Sequence, residues 1–414
     1  MKILLIHQYF LEEDDPGGSR FNEMVKVWSN EGHQISVLAG MMHYGGNEKR
    51  EEYKGKFTAK KKQGDITVWR SHVSELYNSN FIGRMWGYFS FVFSSLYTGL
   101  FKVKGHYDVI IVTSPPLFVG ITGYLISKLK RIPFVFEIRD LWPESAIDTG
   151  VLKNTGLIKM AYKFEKFIYR KASLINVLTP AFRKKLIEEK SVPKDKIIYI
   201  PNAADFSLSD ELLERFDVAK FKREEGLEGK FIITYVGAHG VANHLQQLVE
   251  AAKLLEDTNA HFLLIGQGME KKKLIKLAKD LNCINISFID PVPKSDVFKY
   301  ILASDIGTSV LKNVDTFKTI YSNKTFDYMS CKKPILMAID GVSRELVEDA
   351  DAGLFVEPEN PQDFAFKVRT YMDNQTLLEK QGVNGYIYAK KHFDRNVLAK
   401  KYLFEMANII NQHV

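Results

Sequence analysis

Short apolar runs rich in Val, Ile, Leu and Phe alternate with amphipathic stretches along the whole chain. Runs at residues 2–6, 34–38, 108–113, 134–138, 174–178 and 196–200 predict strands, with helices at 21–30 and 118–129. The pattern then restarts. Strands are predicted at 231–236, 261–265, 286–289, 306–310, 334–338 and 353–356, and helices at 245–256, 271–281, 297–303, 324–330 and 344–349. Continuously apolar strands separated by helices indicate parallel sheets covered on both faces. The polar segment 204–229 reads as a linker, and a last helix near 395–413 follows the second series. The expectation is an α/β protein of two Rossmann-like, doubly wound domains: 1–204 together with 395–414, and 205–394.

Length agrees, since 414 residues exceed one ordinary core. The charge is mildly basic at +7, from 57 Lys and Arg against 50 Asp and Glu, but unevenly placed. Lysine concentrates at 49–62 and 271–279, which reads either as solvated surface or as a contact for an anionic membrane or phosphorylated ligand. The only cysteines, Cys283 and Cys331, sit in no CxxC or metal spacing, so a reducing compartment and no disulfide framework are expected. The N-terminus MKILLIHQYF reads as a first strand and not as a signal peptide. Residues 81–103 come closest to a membrane span, but their Arg84, Lys102, glycines and serines read as a buried or interfacial helix.

Parallel sheets bind ligands at the carboxyl ends of their strands, so the candidate chemistry is expected in the loops there. Gly17-Gly18-Ser19-Arg20 precedes a helix and is either an anion-binding turn or a plain one. Gly237, His239 and Gly240 in VGAHG, and Gly266 and Gly268 in IGQGMEK, allow close backbone approach, with Lys271 facing a diphosphate or solvent. Ser322-Asn323-Lys324 opens a helix holding Thr325 and Asp327. Free amides, a positive helix end and a lysine suit a diphosphate, and Asp327 one turn on suits ribose hydroxyls; a capped surface helix is the other reading. In EIRDLWPE, Arg139 and Asp140 either pair with each other or meet ligand, and Trp142 either stacks on a sugar or covers core. Glu144 offers a carboxylate for ligand hydroxyls in the same stretch.

These loops together resemble glycosyltransferase family four, the retaining family of GT-B fold. The closest likeness is to its WbuB-like branch, which resembles transferases of N-acetylated deoxyhexosamines such as L-fucosamine in bacterial surface polysaccharides. IHQYF…PGGSR, GHQISVLAG, TSPP, EIRDLWPESAIDTGVLKN, IPNAAD, VGAHGVANHLQQLVEAA, LIGQGMEK, FIDPVPKSDV, YSNKTFDYM and DAGLFVEPEN carry it. The resemblance implies a cleft between the domains, with acceptor in the first and nucleotide sugar in the second, and a last helix crossing back to the first. It places Gly18, Arg20, Gly237, His239, Gly240, Lys271, Val292, Ser322, Asn323, Lys324, Thr325 and Asp327 around the donor, and Gly17, Trp142, Glu144 and Asn202 toward the acceptor. Asp327 matches the second glutamate of the family's Glu-x7-Glu motif, and the first falls on Thr319. The family's acceptor-side histidine falls near Arg139-Asp140, where this chain has none, and Asp140 is the candidate for its place. Asp140, Lys324 and Arg139 form the expected catalytic set.

The implied reaction moves a hexosamine-type sugar from a UDP-sugar to a polyprenyl-diphosphate-linked glycan through an oxocarbenium-like state. No cofactor, essential metal or nucleic acid is expected, and the expected location is the inner face of the cytoplasmic membrane, in peripheral contact. The competing readings are a GT-B epimerase or small-acceptor transferase, and an inactive nucleotide-sugar-binding subunit. A dinucleotide oxidoreductase is disfavoured, because no strand-GxGxxG-helix unit is present.

Overall fold

The computed structural model describes the chain except residues 14, 16–19, 43–47, 79–80, 149 and 414, and except the side chains of 77, 78, 81 and 82. It divides into two units, Met1–Pro201 with Asn396–Val414, and Asn202–Arg395.

The first unit is built on an eight-stranded sheet: β1 (Lys2–Ile6), β2 (Gln34–Gly40), β3 (Thr58–Gln63), β4 (Ile66–Ser71), β5 (Val109–Ser114), β6 (Phe134–Ile138), β7 (Leu174–Val177) and β8 (Ile197–Tyr199), in the order β3-β4-β2-β1-β5-β6-β7-β8. All pairs are parallel except β3 with β4. β1, β5 and β6 lie inside the sheet, and their Val, Ile, Leu and Phe side chains are almost wholly buried. Part of the lysine-rich 49–62 segment is thus the edge strand β3, not loop. Its Lys60 and Lys62 are exposed, and lysine on an edge discourages pairing with another chain.

The second unit holds β9 (Phe231–Val236), β10 (Ala260–Ile265), β11 (Ile286–Ile289), β12 (Ile306–Val310), β13 (Ile335–Ala338) and β14 (Gly353–Phe355), all parallel, in the order β11-β10-β9-β12-β13-β14. Counted from its first strand this is the 3-2-1-4-5-6 order, whose direction reverses between β9 and β12. Both units are therefore Rossmann-like. The polar segment read as a linker is a correction: Phe206–Arg215 and Val218–Glu224 are helices. Phe206 joins the core of the second unit, and Leu208, Leu212, Phe216 and Val218 pack against it. Their apolar residues are sparse and set among charges, which hid them. The last helix, Arg395–His413, returns to the first unit, where the Trp28 indole donates to the Ala399 carbonyl at 2.9 Å.

Candidate functional site

In the second unit, the strand-order reversal between β9 and β12 opens a crevice at the sheet's carboxyl edge. The helix Asn323–Ser330 starts there, fixed from beneath by Tyr328. The fully buried Tyr328 hydroxyl accepts from Val236 N at 3.1 Å and reaches the carbonyls of Thr234 (3.1 Å) and Thr308 (3.2 Å), tying the helix to β9 and β12. Gly307 makes room, because a Cβ there would meet the Tyr328 ring at 2.3 Å.

Held this way, Lys324 lays its Nζ over the Tyr235 ring, 4.8 Å from the centroid, with one long contact of 3.5 Å to Ser322 Oγ. No carboxylate pairs with it among the described residues. Burial holds its pKa down to about 8, with Asp327 pulling the other way. A Cβ on Gly237 would lie 3.1 Å from Lys324 Cε, so the loop after β9 passes beside the ammonium. Ser322 does not cap the helix. Its hydroxyl donates to Ser309 Oγ at 3.1 Å, which in turn contacts Thr325 Oγ1 at 3.3 Å. Among the described residues the first amides therefore have no side-chain cap, and Asn323 is exposed. Asp327 has no hydrogen-bonding side chain among the described residues, and burial pushes its pKa up to about 6 against the nearby Lys294. A helix N-terminus, an unpaired ammonium and an unpaired carboxylate one turn apart can bind a diphosphate and an adjoining diol.

The carboxyl edge of the first unit's sheet, where its strand order also reverses, holds a buried polar chain. His7, just past β1, bonds Thr113 Oγ1 through Nδ1 at 2.8 Å, and its Nε2 lies 3.5 Å from Arg139 Nη1. A guanidinium only donates, so this arrangement fits the tautomer with Nδ1–H toward Thr113. Burial, then Arg139 and Arg70, holds the His7 pKa well below its usual value, so the ring is neutral. Arg139 does not pair with Asp140: the Asp140 carboxylate accepts from Ser145 Oγ at 2.7 Å, and burial raises its pKa. His7 escaped the sequence reading. Its signal was an imidazole just past the first strand, ahead of the loop that carries Gly17-Gly18-Ser19-Arg20.

Two family models match: a glycosyl transferase 4-like domain over residues 17–203 and the glycosyl transferases group 1 domain over 217–388. The chain is a glycosyltransferase. It is 23% identical over 410 residues to WcaI of Escherichia coli (strain K12), named for colanic acid biosynthesis, covering 97% of this chain and 99% of that one. Its fold, GT-B, is shared with sucrose-phosphate synthase from Thermosynechococcus elongatus (TM-score 0.75, 14% identity, 99% of each chain). Anabaena HepE, solved in complex with UDP, is also similar (TM-score 0.72, 16% identity, 99% of this chain and 100% of that one).

Several residues expected at the glycosyltransferase's site are occupied elsewhere. Arg20 is buried in a closed set of bonds, Nε to Glu137 Oε1 at 3.0 Å, Nη2 to the Ile200 carbonyl at 2.7 Å and Nη1 to the Pro201 carbonyl, so it braces the end of β8 and is not free for phosphate. Lys271 Nζ is spent on the carbonyls of Gly266 (2.9 Å) and Ile289 (3.1 Å) and on Asp290 (2.6 Å). Gly266 answers a different need from the one expected. At φ +149° its missing Cβ would sit 1.9 Å from the Gly237 carbonyl, so it lets two loops touch each other, not a ligand. His239 is fully buried against Tyr235 and Phe288, with neither ring nitrogen bonded among the described residues; burial and Lys271 lower its pKa to about 4, and its ring is buried from solvent. Val292 packs on a small core beside Leu263 and Ile265. Trp142 covers Ala146, Leu152 and Ala161 and meets Phe118 edge-on at 5.4 Å, which is the core role. Glu144 is ion-paired with Lys190 at 2.6 Å. Gly240 precedes a short turn at Val241–Asn243, and Asn202 is the first residue of the second unit. Gly17 and Gly18 lie outside the described residues.

Proposed function

We propose that this glycosyltransferase retains anomeric configuration and moves a deoxyhexosamine-type sugar from a UDP-sugar to a polyprenyl-diphosphate-linked glycan in bacterial surface polysaccharide synthesis. The reading places it in the WbuB-like branch, working without a metal. The single observation that carries it is the unpaired Lys324 ammonium beside the uncapped start of the helix Asn323–Ser330. As the anomeric bond breaks, negative charge gathers on the β-phosphate. Lys324 and the first helix amides are aimed where that charge grows, in a buried setting that strengthens their attraction. The acceptor hydroxyl attacks the face the diphosphate leaves, and its proton passes to the departing phosphate oxygen. Asp327 accepts the ribose hydroxyls. HepE, bound to UDP, and WcaI, named for colanic acid, supply the nucleotide and pathway class by analogy.

A lipid-linked acceptor calls for contact with the inner leaflet. No helix among the described residues is long and apolar enough to cross a membrane. The helix Phe81–Tyr97 and the turn after it nevertheless expose Trp86 (53%), Phe93 (60%), Tyr97 and Phe101 (67%), four to seven residues apart and so on one face. Phe57 packs on Tyr97, and the ammonium of Lys102 lies over the same ring. An aromatic stripe edged by lysine suits an anionic lipid surface.

The test is a thermal-shift series with UDP, GDP, CDP, ADP and TDP, repeated on Lys324→Ala. UDP should raise the midpoint selectively, and Lys324→Ala should lose turnover by about 10²–10³-fold. A midpoint unmoved by every nucleotide removes the donor site, and full turnover in the variant removes Lys324 from it.

A further inference from the structure

At the carboxyl edge of the first unit's sheet, Arg20 and Arg139 share a single nearby carboxylate, Glu137. Both of its oxygens are taken. Oε1 accepts from Arg20 Nε at 3.0 Å, and Oε2 from Arg20 Nη2 at 3.3 Å and from Asn176 Nδ2 at 2.9 Å. Asp140, next in the chain, turns to Ser145. Arg139 therefore has no ion pair among the described residues, and its guanidinium makes one long polar contact, from Nη1 to His7 Nε2 at 3.5 Å. Burial opposes its charge, Glu137 favours it and Arg20 opposes it again. Arg139 is nevertheless only half-buried, unlike Arg20, and keeps surface that a ligand can reach.

The place and the support both favour a ligand. The strand order of this sheet reverses between β1 and β5, where a doubly wound sheet leaves its crevice. His7 follows β1, Thr113 lies on β5, and Arg139 follows β6 directly. The His7 ring is fixed by Thr113 Oγ1 at 2.8 Å and lies against Phe21, 5.6 Å between centroids. Burial, with Arg139 and Arg70 beside it, keeps this imidazole neutral, so Nε2 can accept from Arg139. That contact engages one N–H of the guanidinium and leaves the rest of the fork to a ligand. A fork of N–H donors matches two oxygens of a phosphate or carboxylate, whose charge would also offset the unpaired cation. The donor's diphosphate has its own cation, Lys324, and its own helix end in the second unit, so the anion missing from the first belongs to the other substrate. We infer that Arg139, oriented by His7, receives one oxyanion of the acceptor, either a phosphate of its diphosphate or a carboxylate of its sugar. The inference rests on the transferase reading above and names a chemical group of its second substrate. His7, 1% exposed, is a positioning residue that meets Arg139 and not the acceptor.

The experiment uses the whole chain with UDP in excess, so that the donor site is filled. Two probes are titrated: inorganic pyrophosphate, followed by phosphorus NMR, and methyl glucuronide, followed by saturation-transfer NMR. At least one should bind, and the one that does names the source of the oxyanion. Arg139→Gln should weaken that binding about tenfold. Arg139→Lys keeps the charge but loses the fork; it should weaken binding less, and it stands in if Arg139→Gln does not fold. His7→Ala should weaken binding about threefold, whereas His7→Gln, which returns an acceptor near the Nε2 position, should recover most of the loss. A cooperative thermal transition in each variant certifies its fold. Silence from both probes in protein that binds UDP overturns the inference, as does binding that Arg139→Gln leaves unchanged. Equal loss in both His7 variants strikes His7 from the site. Binding that depends on Arg139, in protein that responds to no nucleotide, would instead sink the donor reading and leave the anion site standing.

Discussion

Lys324 and Asp327 are held against their own ionisation. Lys324 has a folded pKa of about 8 against 10.5 when unperturbed. Between those values the unfolded chain binds more protons, so stability should rise with pH across that window, and its ionisation opposes folding most fully below pH 8. Asp327 is raised to about 6 from 3.8, so there the folded state binds more protons and stability should fall as pH climbs through that interval. At neutral pH both groups are charged and both oppose folding, which is the arrangement of a site awaiting its ligand. Lys324→Met should therefore lower turnover by about 10²–10³-fold yet leave the urea midpoint at pH 7 equal or higher, and should flatten its rise above pH 8. A variant with a clearly lowered midpoint would show that the lysine is a structural brace. Donor capture requires both charged forms, so kcat/KM for the donor should climb through pH 6 and decline above pH 8, measured with the sugar nucleotide well below KM. Only part of this was legible in the sequence. SNKTFD named the residues, but burial, which sets their charges, depends on Tyr328 and the facing strands. Arg20 and Lys271 looked equally available, because nothing in the chain's order reveals that Glu137, or the Gly266 and Ile289 carbonyls, consume them.

At the scale of elements, the continuously apolar strands were read with little ambiguity, because a sheet buried on both faces leaves no polar position to blur the run. β3 and the helices at Phe206–Arg215 and Val218–Glu224 were lost for the opposite reason. An edge strand written TAKKKQ and two half-buried helices spend most of their side chains on water. The helix Phe81–Tyr97 is the inverse case, with aromatic residues facing outward. A patch of this kind on a monomer calls for a partner. Replacing Trp86, Phe93 and Phe101 together with Ser should leave the thermal midpoint nearly unchanged, since more than half of each is already in water. The same triple variant should lose flotation with vesicles of anionic phospholipid, while the parent floats and is released by salt. Equal flotation by both would detach the membrane from this face.

At the scale of the molecule, the first unit is discontinuous: its sheet is complete by Tyr199, but its covering is finished only by Asn396–Val414. That helix buries Leu398, Ala399, Tyr402, Leu403, Met406 and Ile409. Tyr402 meets Trp28 edge-on at 5.6 Å, and Trp28 also donates to the Ala399 carbonyl. At about 1.5–3 kcal/mol per large apolar side chain, this burial is on the order of 10 kcal/mol. That is as large as the whole stability of an ordinary domain, about 5–15 kcal/mol. The second unit, Asn202–Arg395, owes nothing to this helix for its own sheet order or core. Ending the chain after Arg395 should thus remove the cooperative unfolding of the first unit and expose Trp28, seen as a red-shifted emission. A calorimetric transition for the second unit should persist. If the donor site lies where Lys324 places it, UDP should still raise that surviving transition, though turnover is gone. Loss of both transitions together would mean that the two units fold as one and that the helix supports more than the sheet it covers.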